Sequence, residues 1–185
     1  LIKSLMGLPP RHFAGHPTSG YAVVPAAWGE LLPPGAIDHL KLYWKAFTHP
    51  EVEDTKTLPK GPWRNYFRGY CTTLSTQNFN YNSIAGTLLA GQLLDEPYVL
   101  SDARWGIENL MLRTYGVYDG SFQEMGETYY LAITLGGASI VHKWAERPQD
   151  RLMGKIARDR LMEPLISAYH PGLRRIVFPQ GRGAI

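Results

Sequence analysis

From Ala36 to Tyr169 apolar residues recur at the three- and four-residue spacing of an α-helix, segment after segment, while strand alternation is scarce. The pattern predicts helices over about 36–47, 61–74, 81–94, 99–115, 127–145 and 148–169. Their punctuation supports the division. His49-Pro50 closes the first, Gly61-Pro62 opens the second, Pro148 suits a first helical turn, and His170-Pro171-Gly172 stops the last. Short connections make neighbouring helices antiparallel hairpins. Arg175-Ile176-Val177-Phe178 is the one short strand candidate.

The expected class is therefore all-α. The third and fifth helices are apolar all round, which suits two packed layers better than a simple solvated bundle. Antiparallel hairpins forming part of an α/α toroid meet that requirement. Three hairpins make only a sector of a ring, so the chain reads as part of a longer one, the remainder of which would be a partner. Residues 1–35, punctuated by Pro9-Pro10, Pro17, Pro25 and Pro33-Pro34, read as an extended arm, and residues 36–185 as the helical domain.

Composition excludes several classes. Nineteen basic against sixteen acidic residues leave +3, without the concentrated basic stripe of a nucleic-acid binder. No apolar run approaches the roughly 18 residues of a membrane span. A single cysteine, Cys71, excludes an internal disulfide framework, and no zinc or phosphate-loop motif is present. Neither a cofactor nor a metal is implied.

The chemistry concentrates in Asp119-Gly120-Ser121-Phe122-Gln123-Glu124-Met125-Gly126-Glu127-Thr128-Tyr129-Tyr130, directly before the fifth helix. If this turn is helical, Glu124 and Glu127 share a face with Cβ atoms about 5–6 Å apart. One carboxyl of such a pair can stay protonated beside an ionised partner. In the other reading one Glu faces a cleft while its neighbour favours the helix N-terminus. Tyr129 and Tyr130 cannot share a face, so at most one of them joins Glu127 in a cleft. Gln77-Asn78-Phe79-Asn80-Tyr81-Asn82 precedes the third helix. One Asn there caps it, and the surplus amides, Asn78 or Asn80, can hydrogen-bond a sugar or a carboxylate. Trp63 suits a sugar-stacking position at a cleft rim, and Arg182 an acid-binding one. His142 reads as a structural histidine, and His170 as a residue closing the last helix.

Two of these segments resemble a known family. Asn78-Phe79-Asn80-Tyr81-Asn82-Ser83-Ile84-Ala85 resembles the Asn-Trp-Trp…Ile-Gly segment of the toroid polysaccharide lyases that cleave hyaluronate, chondroitin and xanthan. Asp119-Gly120-Ser121-Phe122 is similar to their Asp-Gly-Ser-Phe segment, in the same order, and the similarity spans roughly residues 60–145. The resemblance implies that Asn78 neutralises a substrate uronate. The family's proton-transfer His and Tyr are replaced here by Met125 and Thr134. Either Glu124, Glu127 and one of Tyr129 and Tyr130 carry the proton transfers, or the chain is a different enzyme on the same scaffold.

The leading expectation is a carbohydrate-active enzyme cleaving an acidic polysaccharide or oligosaccharide by β-elimination. Asn78, Asn80, Asp119, Trp63 and Arg182 would bind substrate; Glu124, Glu127, Tyr129 and Tyr130 would be the catalytic candidates. A glycoside hydrolase using two of Asp119, Glu124 and Glu127 is the alternative, and a non-catalytic glycan- or protein-binding domain the third. A polysaccharide substrate would imply a secreted or periplasmic protein. Geometrically, the starts of the third and fifth helices should share one end, with Asn78 or Asn80 about 10–12 Å from Glu124 or Glu127.

Overall fold

A computed structural model describes residues 18–41, 77–116 and 128–177. Helix α1 is Thr18–Trp28, followed by a 3₁₀ turn at Gly29–Leu31, and residues 36–41 form α2. Then come α3 (Gln77–Leu94), α4 (Pro97–Gly116), α5 (Thr128–Trp144) and α6 (Pro148–Ser167). A two-stranded antiparallel hairpin follows, β1 (Tyr169–His170) and β2 (Arg175–Ile176). The fold is all-α, with this hairpin as the β-structure among the described residues.

Side-chain contacts fix the helix directions. Gly91 meets Leu100 and Tyr81 meets Thr114, so α3 and α4 are antiparallel. Gly154 meets Val141 and His142, so α5 and α6 are antiparallel too. Tyr81 abuts Gly137 while Gln92 reaches Trp144, which makes α3 and α5 parallel. Arg104 pairs with Asp150, and Arg160 lies over Tyr115, which makes α4 and α6 parallel. Two hairpins thus stand side by side in the same sense, and α1 packs across α3 and touches α5.

Each element buries the face its sequence marks out. On α6, Asp150, Gly154, Ala157, Leu161 and Pro164 are buried at alternating four- and three-residue steps. On α4 the buried stripe is Val99, Ala103, Ile107, Leu110 and Thr114. α3 is enclosed on every side: Asn80 to Gly91 are buried without interruption. The apolar-all-round pattern therefore holds fully for α3. α5 keeps exposed positions at Tyr129, Ala132 and Lys143. Among the described residues, no helix is long and apolar enough to cross a membrane.

The link between α3 and α4 is a Schellman turn. Glu96 N–H bonds to Gly91 O at 3.0 Å, and Asp95 N–H bonds to Gln92 O at 3.2 Å. Asp95 has φ 55°, a left-handed value that Asp tolerates better than most residues. Pro97 then opens α4 at once, two residues earlier than the spacing predicts, because a first-turn proline gives up no helical hydrogen bond.

Three expectations need correction. Part of the stretch read as an extended arm is helical, with Pro25 inside α1. Local propensity opposes that helix, but packing on α3 outweighs it. α3 begins at Gln77, so Asn78, Asn80 and Asn82 lie within its first turns rather than before it. Asn82 Nδ2 donates to Asn78 O at 3.0 Å, a bond inside the helix. α6 ends at Ser167, and His170 belongs to β1; its Nδ1 accepts Leu173 N–H at 3.2 Å and braces the hairpin turn instead of the helix end.

Candidate functional site

The helix directions bring the starts of α3 and α5, the ends of α4 and α6, and the β-hairpin to one end of the molecule. Tyr81 is level with Gly137, so α5 starts about five residues, or about 7 Å, beyond the start of α3. Both helices direct their positive dipole ends this way.

Among the described residues, Tyr115, Tyr129 and Tyr169 open onto solvent at this end. Tyr115, at the end of α4, is 52% exposed; Tyr129, at the start of α5, 67%; Tyr169, in β1, 50%. Arg160 stacks on Tyr115 with its guanidinium carbon 5.4 Å from the ring centre and also pairs with Glu163, which holds the ring in place. Tyr129 and Tyr130 meet edge to face at 5.3 Å, and Tyr130 is half-buried. A phenol ring offers a flat apolar face and a hydroxyl donor, the combination that sugar rings stack on and hydrogen-bond to.

Asn78 and Asn80 are at the same end but buried, at 0% and 1% exposure. Their amides lie within the packing around α3, not on an open surface. Thr134, which stands where the resembled family has a tyrosine, is buried and donates to Tyr130 O at 2.8 Å. Trp63, Asp119, Glu124, Glu127 and Arg182 lie outside the described residues, so the 10–12 Å separation expected from the sequence falls there as well. Tyr115 and Tyr169 were not singled out from the sequence. Helical spacing alone marks an aromatic as core, and nothing local shows that these two emerge at the same end as Tyr129.

Just inside this end, Tyr81 donates its hydroxyl to Thr114 Oγ1 at 3.2 Å, and Thr114 donates to Leu110 O at 2.8 Å. Burial raises the Tyr81 phenol to about 12, the Thr114 bond offsetting part of that rise. The phenol is thus a neutral donor locked in the core. Deeper still, a gap of about 10 Å³ is lined by Tyr81, Ile84, Ile107, Leu110, Met153 and Ala157 among others. It is apolar and no larger than about one water, so it is a packing defect without room for a substrate.

The opposite end is closed by internal bonds. Gln92 donates to Trp144 O and accepts Glu146 N–H, and Arg151 donates to the Ala145 and Glu146 carbonyls. His142 Nδ1 lies 3.1 Å from Arg151 O, the satisfied structural role expected of it. Among the described residues no group of three His, Cys, Asp or Glu side chains is arranged to hold a metal ion.

Fold and site together define an all-α protein of paired helical hairpins with a tyrosine-rich, helix-start end. No protein-family model, curated protein or solved structure matches the chain.

Proposed function

We propose that the chain is a sector of an α/α toroid that cleaves an acidic polysaccharide or oligosaccharide by β-elimination. The observation that carries this reading is the gathering of accessible Tyr115, Tyr129 and Tyr169 where α3 and α5 begin. The toroid is supported by the parallel pair α3 and α5 standing beside the parallel pair α4 and α6, as successive stacked hairpins do. The acidic character of the substrate is supported by the two helix starts, whose dipoles favour an anion.

In β-elimination a base removes the proton on the carbon next to the uronate carboxyl. The bond to the leaving sugar breaks, its oxygen takes a proton, and a double bond conjugated with the carboxyl remains. Tyr129 or Tyr130, assisted by Glu127, is the proton-transfer group in this reading. A positioned acid–base group contributes about 10²–10⁴-fold. The test is incubation with hyaluronate, chondroitin, xanthan and polygalacturonate, following the ultraviolet absorbance of an unsaturated uronide. Either Tyr129→Phe or Tyr130→Phe should lower kcat by about 10²-fold or more while the other leaves it unchanged. New reducing ends without the absorbance would mean hydrolysis and would sink the elimination mechanism.

A further inference from the structure

The β-hairpin after α6 carries two cations at this end, Arg174 and Arg175. Arg104 pairs with Asp150, Arg158 with Asp159 and Arg160 with Glu163; Arg147 donates to Gln149 and Arg151 to carbonyls of the α5–α6 link. Arg174 and Arg175 are exposed and make no ion pair or side-chain hydrogen bond among the described residues.

Their backbone is nevertheless well defined. Tyr169 pairs with Ile176 and His170 with Arg175, and Val177 N–H bonds to Ala168 O at 2.8 Å. Directly paired residues on antiparallel strands place their side chains on one face, with Cβ atoms about 4.5–5.5 Å apart. His170 and Arg175 therefore face the same way. Because His170 Nδ1 accepts Leu173 N–H, a neutral imidazole carries its proton on Nε2. Arg174 holds a left-handed φ of 50°, a conformation that disfavours a long side chain and that glycine would adopt without cost.

The hairpin also stands at the right place. α6 runs antiparallel to α5, so its C-terminus delivers the hairpin to the end that carries Tyr129 and the starts of α3 and α5. The buried Asn78 and Asn80 leave the task of meeting a carboxylate at that surface to an exposed cation. A guanidinium supplies two parallel N–H donors that match a carboxylate.

We propose that the Tyr169–Ile176 hairpin is a carboxylate-binding clamp for an acidic oligosaccharide, with Arg174 and Arg175 holding the uronate carboxyl and His170 Nε2–H a neighbouring hydroxyl. The clamp rests on the acidic-sugar reading above but does not require catalysis. It extends that reading by naming where the charge of the sugar is bound.

Binding is measured by calorimetry with oligomers of hyaluronate, chondroitin and galacturonate, and with the same oligomers after reduction of their carboxyls to alcohols. Wild type should bind at least one acidic oligomer at least about tenfold tighter than its reduced counterpart, less so as salt rises. Arg174→Asn, which tolerates the left-handed backbone, and Arg175→Gln should each weaken acidic binding about tenfold and leave reduced-oligomer binding unchanged. Circular dichroism and melting of both variants should match wild type, since the hairpin is exposed. Unaltered acidic binding in both variants overturns the clamp, as does tighter binding of a single-stranded oligonucleotide or failure of wild type to bind any acidic oligomer. Loss of binding in the variants without any unsaturated product from wild type upholds the clamp and sinks the elimination reading. Elimination with an unchanged KM in the variants does the reverse.

Discussion

Gly136 and Gly137 are neighbours on α5 and should respond to the same substitution with opposite signs. A Cβ on Gly137 would lie 2.8 Å from the carbonyl carbon and oxygen of Tyr81, whereas one on Gly136 meets nothing within 4 Å. Gly137→Ala must push α3 and α5 apart and should cost about 1–3 kcal/mol. Gly136→Ala removes the backbone entropy of a helical glycine without a clash and should gain about 0.5–1 kcal/mol. Urea denaturation of the two variants checks both; equal effects would mean that the helices do not meet at Gly137. From the sequence the two positions are the same residue in the same helical run. Only the approach of Tyr81 separates them, and that is a long-range contact no local pattern encodes.

At the scale of elements, Arg104 and Asp150 join α4 to the first turn of α6. Three hydrogen bonds of 2.9–3.2 Å connect them, with Asp150 buried and the Arg104 side chain 31% exposed. The pair is asymmetric. Arg104→Ala strands a carboxylate in the interior and should cost about 3–5 kcal/mol. Asp150→Ala leaves a guanidinium that still reaches water and should cost less, about 1.5–3 kcal/mol. Thermal denaturation of the single variants gives the order, and a larger loss for Asp150→Ala would contradict it. The ion pairs along the exposed side of α6 are different in kind. Lys155, and after it Arg158, hold Asp159 below the usual carboxylate range, yet surface pairs of this sort contribute little to stability. Helix ends follow the same division. Pro148 at the start of α6 is legible because proline is favoured there whatever surrounds it, while the start of α3 at Gln77 was not. Three asparagines argue against a helix locally, and enclosure by neighbouring helices overrides them.

For the whole molecule, the buried Tyr81 links stability to pH in a definite direction. Its phenol ionises near 10 in the unfolded chain and near 12 in the folded one. Below pH 10 both states hold the proton and the contribution is complete. Between pH 10 and 12 the unfolded chain alone gives up its proton, so stability falls as pH rises, by on the order of 2–3 kcal/mol from this group. Tyr81→Phe should be less stable than wild type at pH 8, by about 0.5–1.5 kcal/mol for the lost bond to Thr114. The gap should close or reverse by pH 12. Parallel stability curves for the two proteins over that range would show that the phenol is not buried as described.

What the amino-acid sequence determined by itself is the helical class, the approximate spans from α3 to α6 and the proline-marked start of α6. These depend on apolar periodicity and on φ preferences, which are properties of neighbouring residues. It also marked Tyr129 and Tyr130 as lying on different faces, since one residue turns a helix by about 100°. Tertiary structure decided the rest. Whether Thr18–Trp28 is helical depended on α3 being there to receive it. That Asn78 and Asn80 are buried while Tyr115, Tyr129 and Tyr169 are open depended on which helix starts and ends share a side. A helix carries its face pattern in its own sequence, but the partner of that face comes from residues dozens of positions away. The end of this molecule where its chemistry gathers is a property of those pairings.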